Sequence, residues 1–285
     1  MNNYGIEFDN KYKDYYLNEL EKIKKQYQNI TSENRRTGRS LINICFFIWS
    51  YAGRENNKVL DLLIKSSILL SSQDDFCDNS NISDERKKFF YNACNDIILG
   101  KSVRLNGEDD QFTDLINLWK EIHKKVKRSR KYLYEYWQKK SSELNLAMEK
   151  ENHILRKKEI DFNSYMQVTT DSIGIMFVWS TYFTQKNISA KDLKEIDKIL
   201  PIGAEIVRLS NDIASYRKGK NNINAKSILI IDKSIKENIE TLIIKKNNKL
   251  NRGLVNISID NDVKNVIKDS VQFLEEFYKK SDFDE

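Results

Sequence analysis

Apolar residues recur three and four positions apart along nearly the whole chain, as at Leu20, Ile23 and Tyr27. This spacing places apolar side chains on one face of an α-helix. The 285 residues include only nine glycines and one proline, far fewer turn residues than a β-barrel or an α/β sheet of this length requires. The sequence therefore predicts an all-α fold. Without an internal repeat or a linker, it predicts a single domain over residues 1–285.

Helices are predicted where apolar residues dominate, and loops where polar residues and glycine cluster. Gly174 interrupts one apolar helix, and Pro201 suits the first turn of another. Residues 227–235 carry a short strand pattern, but no second strand pairs with it. The predicted helices cover residues 41–51, 59–78, 85–99, 115–140, 163–183, 190–200, the segment after Pro201, 226–245 and 262–280, and the predicted loops cover 100–111 and 219–224.

The net charge of +6 is small for a chain with 48 basic and 42 acidic residues. Basic residues are densest at residues 124–131, directly before several tyrosines. We interpret this run as a solvated helix face, with an acidic membrane surface or a nucleic acid as less favoured partners. No nucleic-acid-binding signature accompanies the run, so the sequence does not predict a nucleic-acid function.

Cys45, Cys77 and Cys94 have no metal-binding spacing, and an odd number of cysteines suggests reduced thiols. With only two histidines, zinc chemistry and a histidine-based triad are disfavoured. The N-terminus lacks the basic and apolar regions of a signal peptide. The longest apolar run, residues 41–52, is too short to span a bilayer. These features predict a cytoplasmic protein without a transmembrane segment.

An acidic cluster, Asp74–Asp78 with the sequence Asp-Asp-Phe-Cys-Asp, ends the predicted helix over residues 59–78. Asp74 and Asp78 are four positions apart and therefore lie on one helix face. Carboxylates at the C-terminal end of a helix are unfavourable, so a bound cation is the natural compensation. Carboxylate oxygens, completed by water and phosphate, are the ligands that Mg²⁺ prefers. Alone, the cluster also fits an ordinary acidic helix end on a protein surface.

A second polar motif lies in the helix after Pro201, where Asn211 and Ser215 are also four positions apart. Asn and Ser favour caps and turns, so their position inside an apolar helix suggests a function. If the two motifs face each other, they can hold a diphosphate through several metal ions. The pair is far more specific than either motif alone.

Together the two motifs resemble those of class I terpene synthases. Asp74, Asp75 and Asp78 match the aspartate-rich motif of that family, and Asn211 and Ser215 match its Asn/Ser/Glu triad. The resemblance implies an all-helical bundle around a central apolar cavity. It also implies three Mg²⁺ ions that hold the substrate diphosphate, after whose departure an allylic carbocation cyclises. The aspartates would hold two of the ions and the second motif the third. Dimers are common in the family, which makes a homodimer one expectation.

The resemblance also implies diphosphate contacts from residues near the triad and near the end of the chain, where many relatives have an Arg-Tyr pair. Asp212, between the two triad residues, is expected to brace its helix rather than to bind metal. The residues at the matching positions are Arg208, Arg217, Lys218, Tyr278 and Lys279.

In this family an interrupted helix exposes backbone carbonyl dipoles to the cation, and aromatic side chains line the cavity. Most aromatic residues of this chain are expected to belong to the core, while a few stabilise cations through their π faces. The cavity residues implied by the resemblance are Phe46, Trp49, Phe76, Ile173, Gly174, Phe177 and Trp179.

Two positions depart from the family pattern. Gly219 replaces the glutamate that usually follows the triad serine by four residues. Either Asn211 and Ser215 hold the third ion with extra water, or a nearby group substitutes. Thr169 stands where the family often has an arginine that senses the diphosphate. Kaurene-synthase-like enzymes, which take an already bicyclic C20 diphosphate, are similar in lacking that arginine.

The sequence thus predicts a Mg²⁺-dependent class I diterpene synthase, a lyase acting on copalyl-type or geranylgeranyl diphosphate. An Asp-x-Asp-Asp motif is absent, which disfavours cyclisation started by protonation. One alternative is a sesquiterpene synthase that uses farnesyl diphosphate. A non-catalytic helical protein that binds an isoprenoid is another. A prenyl-chain elongase is less favoured, because those enzymes usually carry two aspartate-rich motifs.

Overall fold

The computed structural model describes residues 13–32, 36–53, 55–105, 110–154, 161–218 and 238–280, and these residues contain α-helices and no β-strand. They form two compact units, one up to Lys125 and one from Val126 onwards. The helices up to the boundary are Lys13–Gln26 (α1), Gln28–Thr31 (α2), Arg36–Ala52 (α3), Asn57–Asp78 (α4), Asp84–Ile98 (α5) and Asp110–Val126 (α6). Those beyond it are Lys131–Ile154 (α7), Phe162–Ser172 (α8), Ile175–Phe183 (α9), Ala190–Asp197 (α10), Leu200–Lys218 (α11), Ile239–Asn256 (α12) and Asn261–Lys280 (α13).

The first unit is built around α4, which packs against α3. The helix begins after Asn56, whose side chain accepts from the backbone N–H groups of Lys58 and Val59. Apolar side chains cover most of its circumference, and even Ser66 and Gln73 are fully buried. A helix buried on nearly all sides must present its few accessible polar residues at its ends. At the C-terminal end of α4 those residues are Asp74, Asp75 and Asp78.

A polar cluster joins the loop after α1 to α4 and α6. The ammonium of Lys65, a residue only 8% exposed, lies 3.3 Å from Asp61 Oδ1 and 3.2 Å from Glu121 Oε2. The hydroxyl of Tyr27 donates to the same Glu121 oxygen at 2.8 Å. Lys125 pairs with Asp61. Because a buried ammonium is costly unless it is paired, this arrangement fixes how α4 and α6 pack.

The second unit is built around α11, which packs against α8, α9, α12 and α13. Because Gly203 has no side chain, α9 and α13 can approach α11 closely there. An added Cβ would lie 2.8 Å from Trp179 Cη2 and 3.2 Å from Val271 Cγ2. The indole of Trp179 is held in turn by a 3.0 Å hydrogen bond from its Nε1 to the hydroxyl of Ser270. The packing of α9, α11 and α13 thus depends on one small residue.

Most of the predicted helices are confirmed, but the prediction of one helix over residues 115–140 is wrong. The helix α6 ends at Val126 and α7 begins at Lys131. A continuous helix would place like charges four positions apart at Lys124 and Arg128, and again at Lys127 and Lys131, which destabilises a helix. The strand pattern at residues 227–235 and the loop at 219–224 lie outside the described residues.

The interruption predicted at Gly174 is confirmed. Gly174 separates α8 from α9 and has a φ angle of 76°, in the left-handed region that favours glycine. Every residue of α9 is buried. Pro201 is the second residue of α11, as its fixed φ angle predicts. Among the described residues, no helix is long and apolar enough to cross a membrane. The single domain over residues 1–285 stays a prediction.

Gly203→Ala is expected to lower the free energy of unfolding by roughly 1–3 kcal/mol, because the new methyl group overpacks against Trp179. The indole cannot easily move aside, since it is bonded to Ser270. Gly253→Ala is the control with a smaller expected loss, because its Cβ would meet only the Ile199 side chain, at 2.9 Å from Cδ1, 3.2 Å from Cγ1 and 3.3 Å from Cγ2, and no hydrogen bond holds that side chain in place. The gain of about 1 kcal/mol in helix propensity applies to both variants, so their difference reports the contact with Trp179. Denaturant unfolding measures both variants, and equal losses would contradict this account.

Candidate active site

The aspartate-rich cluster occupies the last two turns of α4. Asp74 and Asp75 are half-buried, and Asp78 is exposed as the last residue of the helix, with Asn79 as its C-cap. Asp74 and Asp78 lie one turn apart on a common face, whereas Asp75 is rotated away from it. Among the described residues, no three His, Cys, Asp or Glu side chains come together as a metal site. The donors still fit Mg²⁺, which takes one or two carboxylates and completes its shell with water and phosphate oxygens.

Buried hydrogen bonds hold the chain just before this cluster. Gln73, fully buried, accepts a 3.0 Å hydrogen bond from the indole Nε1 of Trp119 on α6. The hydroxyl of Ser72 donates to Thr37 Oγ1 on α3 at 3.1 Å. The backbone that carries Asp74 is therefore fixed to two neighbouring helices. Sequence reasoning missed these residues, although polar residues at buried helix positions are the signal that could have identified them.

Cys77 lies inside the acidic cluster but does not offer a thiolate. Burial raises the pKa of its thiol to about 12, even though a hydrogen bond with Tyr91 and the charge of Lys87 act in the opposite direction. A thiol with this pKa is neutral at physiological pH and is a poor ligand for a hard cation. The oxygen donors of the cluster are therefore the groups available to a metal ion.

Asn211 and Ser215 are half-buried on α11, whereas Asp212 between them is fully buried. Asp212 Oδ1 accepts from the hydroxyl of Tyr165 at 2.8 Å and from Arg208 Nη2 at 2.7 Å. Burial raises the pKa of Asp212 to about 6, although Arg208 beside it lowers that pKa. Asp212 therefore braces α11 against α8. The side chains of Asn211 and Ser215 remain accessible to solvent.

Arg208 was assigned from the sequence to the diphosphate, and the structure places it in the core of the second unit. It is 6% exposed, and its Nη1 donates to Glu151 Oε1 on α7 at 3.1 Å. Its Nε donates to Asp212 Oδ1 at 3.1 Å, and its Nη2 also donates to the hydroxyl of Tyr165. All three nitrogens of the guanidinium thus bind protein groups.

Arg217 and Lys279 are brought together at the C-terminal ends of α11 and α13. Arg217 Nη1 donates to the backbone carbonyl of Lys279 at 2.6 Å. The ammonium of Lys279 lies 3.0 Å from Glu275 and 3.0 Å from Glu276, and these carboxylates raise its pKa although its partial burial lowers it. Tyr278 is buried. The side chain of Lys218, together with Gly219, lies outside the described residues.

Thr169, at the position of the family's diphosphate sensor, is fully buried. Its hydroxyl donates to the backbone carbonyl of Tyr165, one turn earlier in α8, at 2.9 Å. A threonine bonded to its own helix offers no charge to a phosphate. Ile173 and Gly174 form the break between α8 and α9, with Ile173 half-buried and Gly174 buried.

The aromatic residues predicted to line a cavity are packed within each unit. Phe46 meets Trp49 edge to face, with ring centroids 6.0 Å apart. Phe76 contacts Phe90 and Phe112 at centroid distances of 4.9 and 6.0 Å. Their role in a cavity stays a prediction. In the second unit, Phe177 packs 6.3 Å from Trp137, and Trp179 is bonded to Ser270.

The family model described as terpene synthase family 2, C-terminal metal binding, matches residues 65–237. The chain belongs to the terpene synthase family. The matched range includes both polar motifs, on α4 and on α11. The metal-binding description of the family agrees with the oxygen donors found there. No curated protein is similar enough in sequence to count as a match.

Solved structures show that this terpene synthase has the all-α class I fold. Germacradien-4-ol synthase from Streptomyces citricolor is similar with a TM-score of 0.63 at 10% identity, over 93% of this chain and 90% of that chain. Hedycaryol synthase in complex with HEPES has a TM-score of 0.63 at 12% identity, over 98% and 95% of the two chains. Hedycaryol synthase in complex with nerolidol has a TM-score of 0.62 at 11% identity, over 98% of each chain.

Trp119→Phe in this terpene synthase removes the donor to Gln73, and we expect a loss of roughly 1–3 kcal/mol in unfolding free energy. Because Gln73 directly precedes Asp74, the affinity for Mg²⁺ with pyrophosphate is also expected to fall. Trp137→Phe is the matched control, since its indole donates to Thr181 in the other unit. Thermal unfolding with and without Mg²⁺ and pyrophosphate measures both effects. Equal loss of ligand-induced stabilisation in the two variants would contradict the prediction.

Asp171→Asn is expected to raise the melting temperature of the terpene synthase at pH 7 by about 1–2 °C. Burial and the charge of Glu143 raise the pKa of Asp171, while Lys140 lowers it. A folded-state pKa above the unfolded value means that stability is lost as pH rises through the folded-state pKa. The gain should therefore approach zero below about pH 3, where the aspartate is neutral in both states.

Asp161, at the other end of α8, provides a control of opposite sign. Hydrogen bonds from Ser164 lower the pKa of Asp161. Its charge therefore stabilises the fold above its ordinary pKa, and this contribution is lost as the pH falls. Asp161→Asn should lower the melting temperature slightly at pH 7. A gain in this variant, or a loss in Asp171→Asn, would contradict the electrostatic account.

Proposed function

We propose that this protein is a Mg²⁺-dependent class I synthase that ionises a C20 prenyl diphosphate and cyclises or rearranges the resulting carbocation to a diterpene. One observation carries the proposal. Within residues 72–78 of α4, the residues with solvent access are three carboxylates, Asp74, Asp75 and Asp78, in a family described as metal binding. A cation bound by carboxylates at a helix C-terminus is stabilised by the negative end of the helix dipole.

Asp74 and Asp78 lie on one face of α4, where they can share a metal ion, and Asp75 is the ligand for a neighbouring one. On α11 the amide oxygen of Asn211 and the hydroxyl of Ser215 are the ligands for a third ion. When bound, Mg²⁺ acts as a Lewis acid that neutralises the departing diphosphate. We expect water to complete the shell on α11, since no carboxylate stands at Gly219.

Basic residues at the C-terminal ends of α11 and α13 support a phosphate-binding role there. Arg217 is exposed and has a guanidinium already oriented by the carbonyl of Lys279. Arg and Lys both donate charge-assisted hydrogen bonds to phosphate oxygens. We assign Arg217 and Lys279 to the diphosphate, and we expect them to balance the charge that remains after the metal ions bind.

The apolar helix α9 supports the hydrocarbon part of the reaction. All nine of its residues are buried, and it begins at the Gly174 break. An apolar, water-poor environment prevents the capture of a carbocation by water. We therefore propose that Ile173, Gly174 and Phe177 lie beside the reacting chain. The aromatic faces of such residues stabilise cations.

Thr169 supports a C20 substrate. An arginine at this position is missing, and Thr169 is buried and bonded to its own helix. The same departure is similar to that of kaurene-synthase-like enzymes, which use a bicyclic C20 diphosphate. A C15 substrate, farnesyl diphosphate, is the second candidate, because germacradien-4-ol synthase and hedycaryol synthase, both similar in structure to this chain, are sesquiterpene synthases.

Asp74→Ala and Asn211→Ala are each expected to abolish turnover, by about 10³-fold or more, while leaving the fold intact. Both remove a proposed metal ligand from the accessible surface of a helix. Asp96→Ala is the control, because it removes a carboxylate whose ion pair with Lys101 lies on the surface. Diphosphate release measures turnover, and circular dichroism verifies folding. Turnover that persists in both ligand variants would overturn the site assignment.

Incubation with Mg²⁺ and farnesyl, geranylgeranyl or copalyl diphosphate in parallel tests the substrate. We expect a hydrocarbon product from a C20 substrate, identified by gas chromatography and mass spectrometry. A product from copalyl diphosphate alone would agree with Thr169 in place of the sensor arginine. A product from farnesyl diphosphate alone would establish the C15 candidate. Folded protein that turns over none of the three would contradict the proposed activity.

A further inference from the structure

Four polar side chains from three helices meet in the core of the second unit. Glu151 comes from α7, Tyr165 from α8, and Arg208 and Asp212 from α11. Tyr165 and Asp212 are fully buried, Arg208 is 6% exposed, and the side chain of Glu151 retains 14% exposure. Burying charged groups costs free energy unless each charge is paired and hydrogen-bonded in good geometry. The cluster therefore favours one arrangement of the three helices that contribute to it.

The guanidinium of Arg208 is oriented from three directions. Two of its nitrogens donate to Asp212 Oδ1, at 3.1 and 2.7 Å, and the third donates to Glu151 Oε1 at 3.1 Å. The carbon of the guanidinium also lies 5.2 Å from the centroid of the Tyr165 ring. A planar, forked donor held in this way has one orientation. To reach a phosphate, Arg208 would have to leave the buried carboxylate of Asp212 and the half-buried carboxylate of Glu151 without their cation.

The cluster lies directly beside the proposed metal ligands on α11. Arg208 and Asp212 form one stripe along the helix, and Asn211 and Ser215 form a second stripe about 60° around the helix axis. A rotation or shift of α11 would move both stripes together, because they belong to one rigid helix. The bonds to Glu151 and Tyr165 oppose that motion from α7 and α8.

We infer that the cluster of Glu151, Tyr165, Arg208 and Asp212 sets the rotation of α11 and thereby aims Asn211 and Ser215 at their metal ion. Arg208 is a positioning residue in this arrangement and does not contact the diphosphate, which revises the assignment made from the sequence. The inference rests on the proposed function, in which Asn211 and Ser215 hold Mg²⁺. Tyr165 extends the arrangement to α8, the helix that ends at the Gly174 break.

Arg208→Lys distinguishes a positioning role of Arg208 from a contact with the diphosphate. Lysine keeps the positive charge that a phosphate contact requires, but it lacks the fork that bonds Asp212 and Glu151 together. We expect Mn²⁺ affinity in the presence of pyrophosphate to fall by about 10- to 100-fold, as for other residues that orient metal ligands. Electron paramagnetic resonance of Mn²⁺ measures this affinity without turnover. An unchanged Mn²⁺ affinity in folded Arg208→Lys would overturn the inference.

Tyr165→Phe is the conservative second variant, because it keeps the ring and removes only the hydroxyl between Arg208 and Asp212. The variant removes two buried hydrogen bonds, the one that Tyr165 donates to Asp212 and the one that it accepts from Arg208, and we expect Mn²⁺ affinity to fall by about five- to tenfold. A diphosphate-binding Arg208 predicts no change in metal affinity from this variant, since the tyrosine hydroxyl is internal to the cluster. Wild-type Mn²⁺ affinity in Tyr165→Phe would therefore also count against the inference.

Two controls keep the outcomes apart. Lys246→Met removes the partner of Glu205, another ion pair on α11, and should leave Mn²⁺ affinity unchanged. Asn211→Ala should weaken Mn²⁺ binding directly. If Asn211→Ala has no effect, the proposed metal site itself is wrong. If Asn211→Ala weakens binding while Arg208→Lys and Tyr165→Phe do not, the site stands and the positioning inference fails.

Discussion

The fully buried carboxylate of Asp212 is the constraint on which the second unit depends. A charge without access to water must be matched by donors, and Arg208 and Tyr165 supply them from α11 and α8. These bonds determine how α11 lies against its neighbours, and α11 in turn contacts α9, α12 and α13. The bonds of Asp212 thus help to place the apolar side chains through which α11 packs against these helices.

In the first unit a buried polar group is likewise matched by a donor from a neighbouring helix, but both groups are neutral. Gln73 is buried one residue before the aspartates of α4, and Trp119 satisfies its amide oxygen. In both units, a buried polar residue bonded to a neighbouring helix adjoins an accessible residue with oxygen donors. The buried partner cannot move without the loss of a hydrogen bond, so the accessible donor beside it has a defined direction. The buried residue and the accessible donor belong to the same rigid helix. A metal site with few protein ligands requires such fixed donor directions.

Helical periodicity was sufficient to predict the fold class and most helix positions. The long apolar run of α4 and the glycine between α8 and α9 carry strong local signals. The break between α6 and α7 was missed, because the repulsion among basic residues competes with a helical pattern that continues through it. The motifs on α4 and α11 could also be identified from the sequence, because polar residues are unusual in helices that are otherwise apolar.

What the sequence did not reveal was which polar residues are partners. The sequence places Arg208 three residues before Asn211, which agrees equally well with a phosphate contact and with a buried ion pair. Only the fold brings Glu151, 57 positions away along the chain, to within hydrogen-bonding distance of it. Arg208 lies in the core and Thr169 is uncharged, so among the side chains that the structure describes we assign Arg217 and Lys279 to the diphosphate. In the proposed reaction, therefore, metal ions carry a larger share of the charge neutralisation than in a relative that retains the sensor arginine.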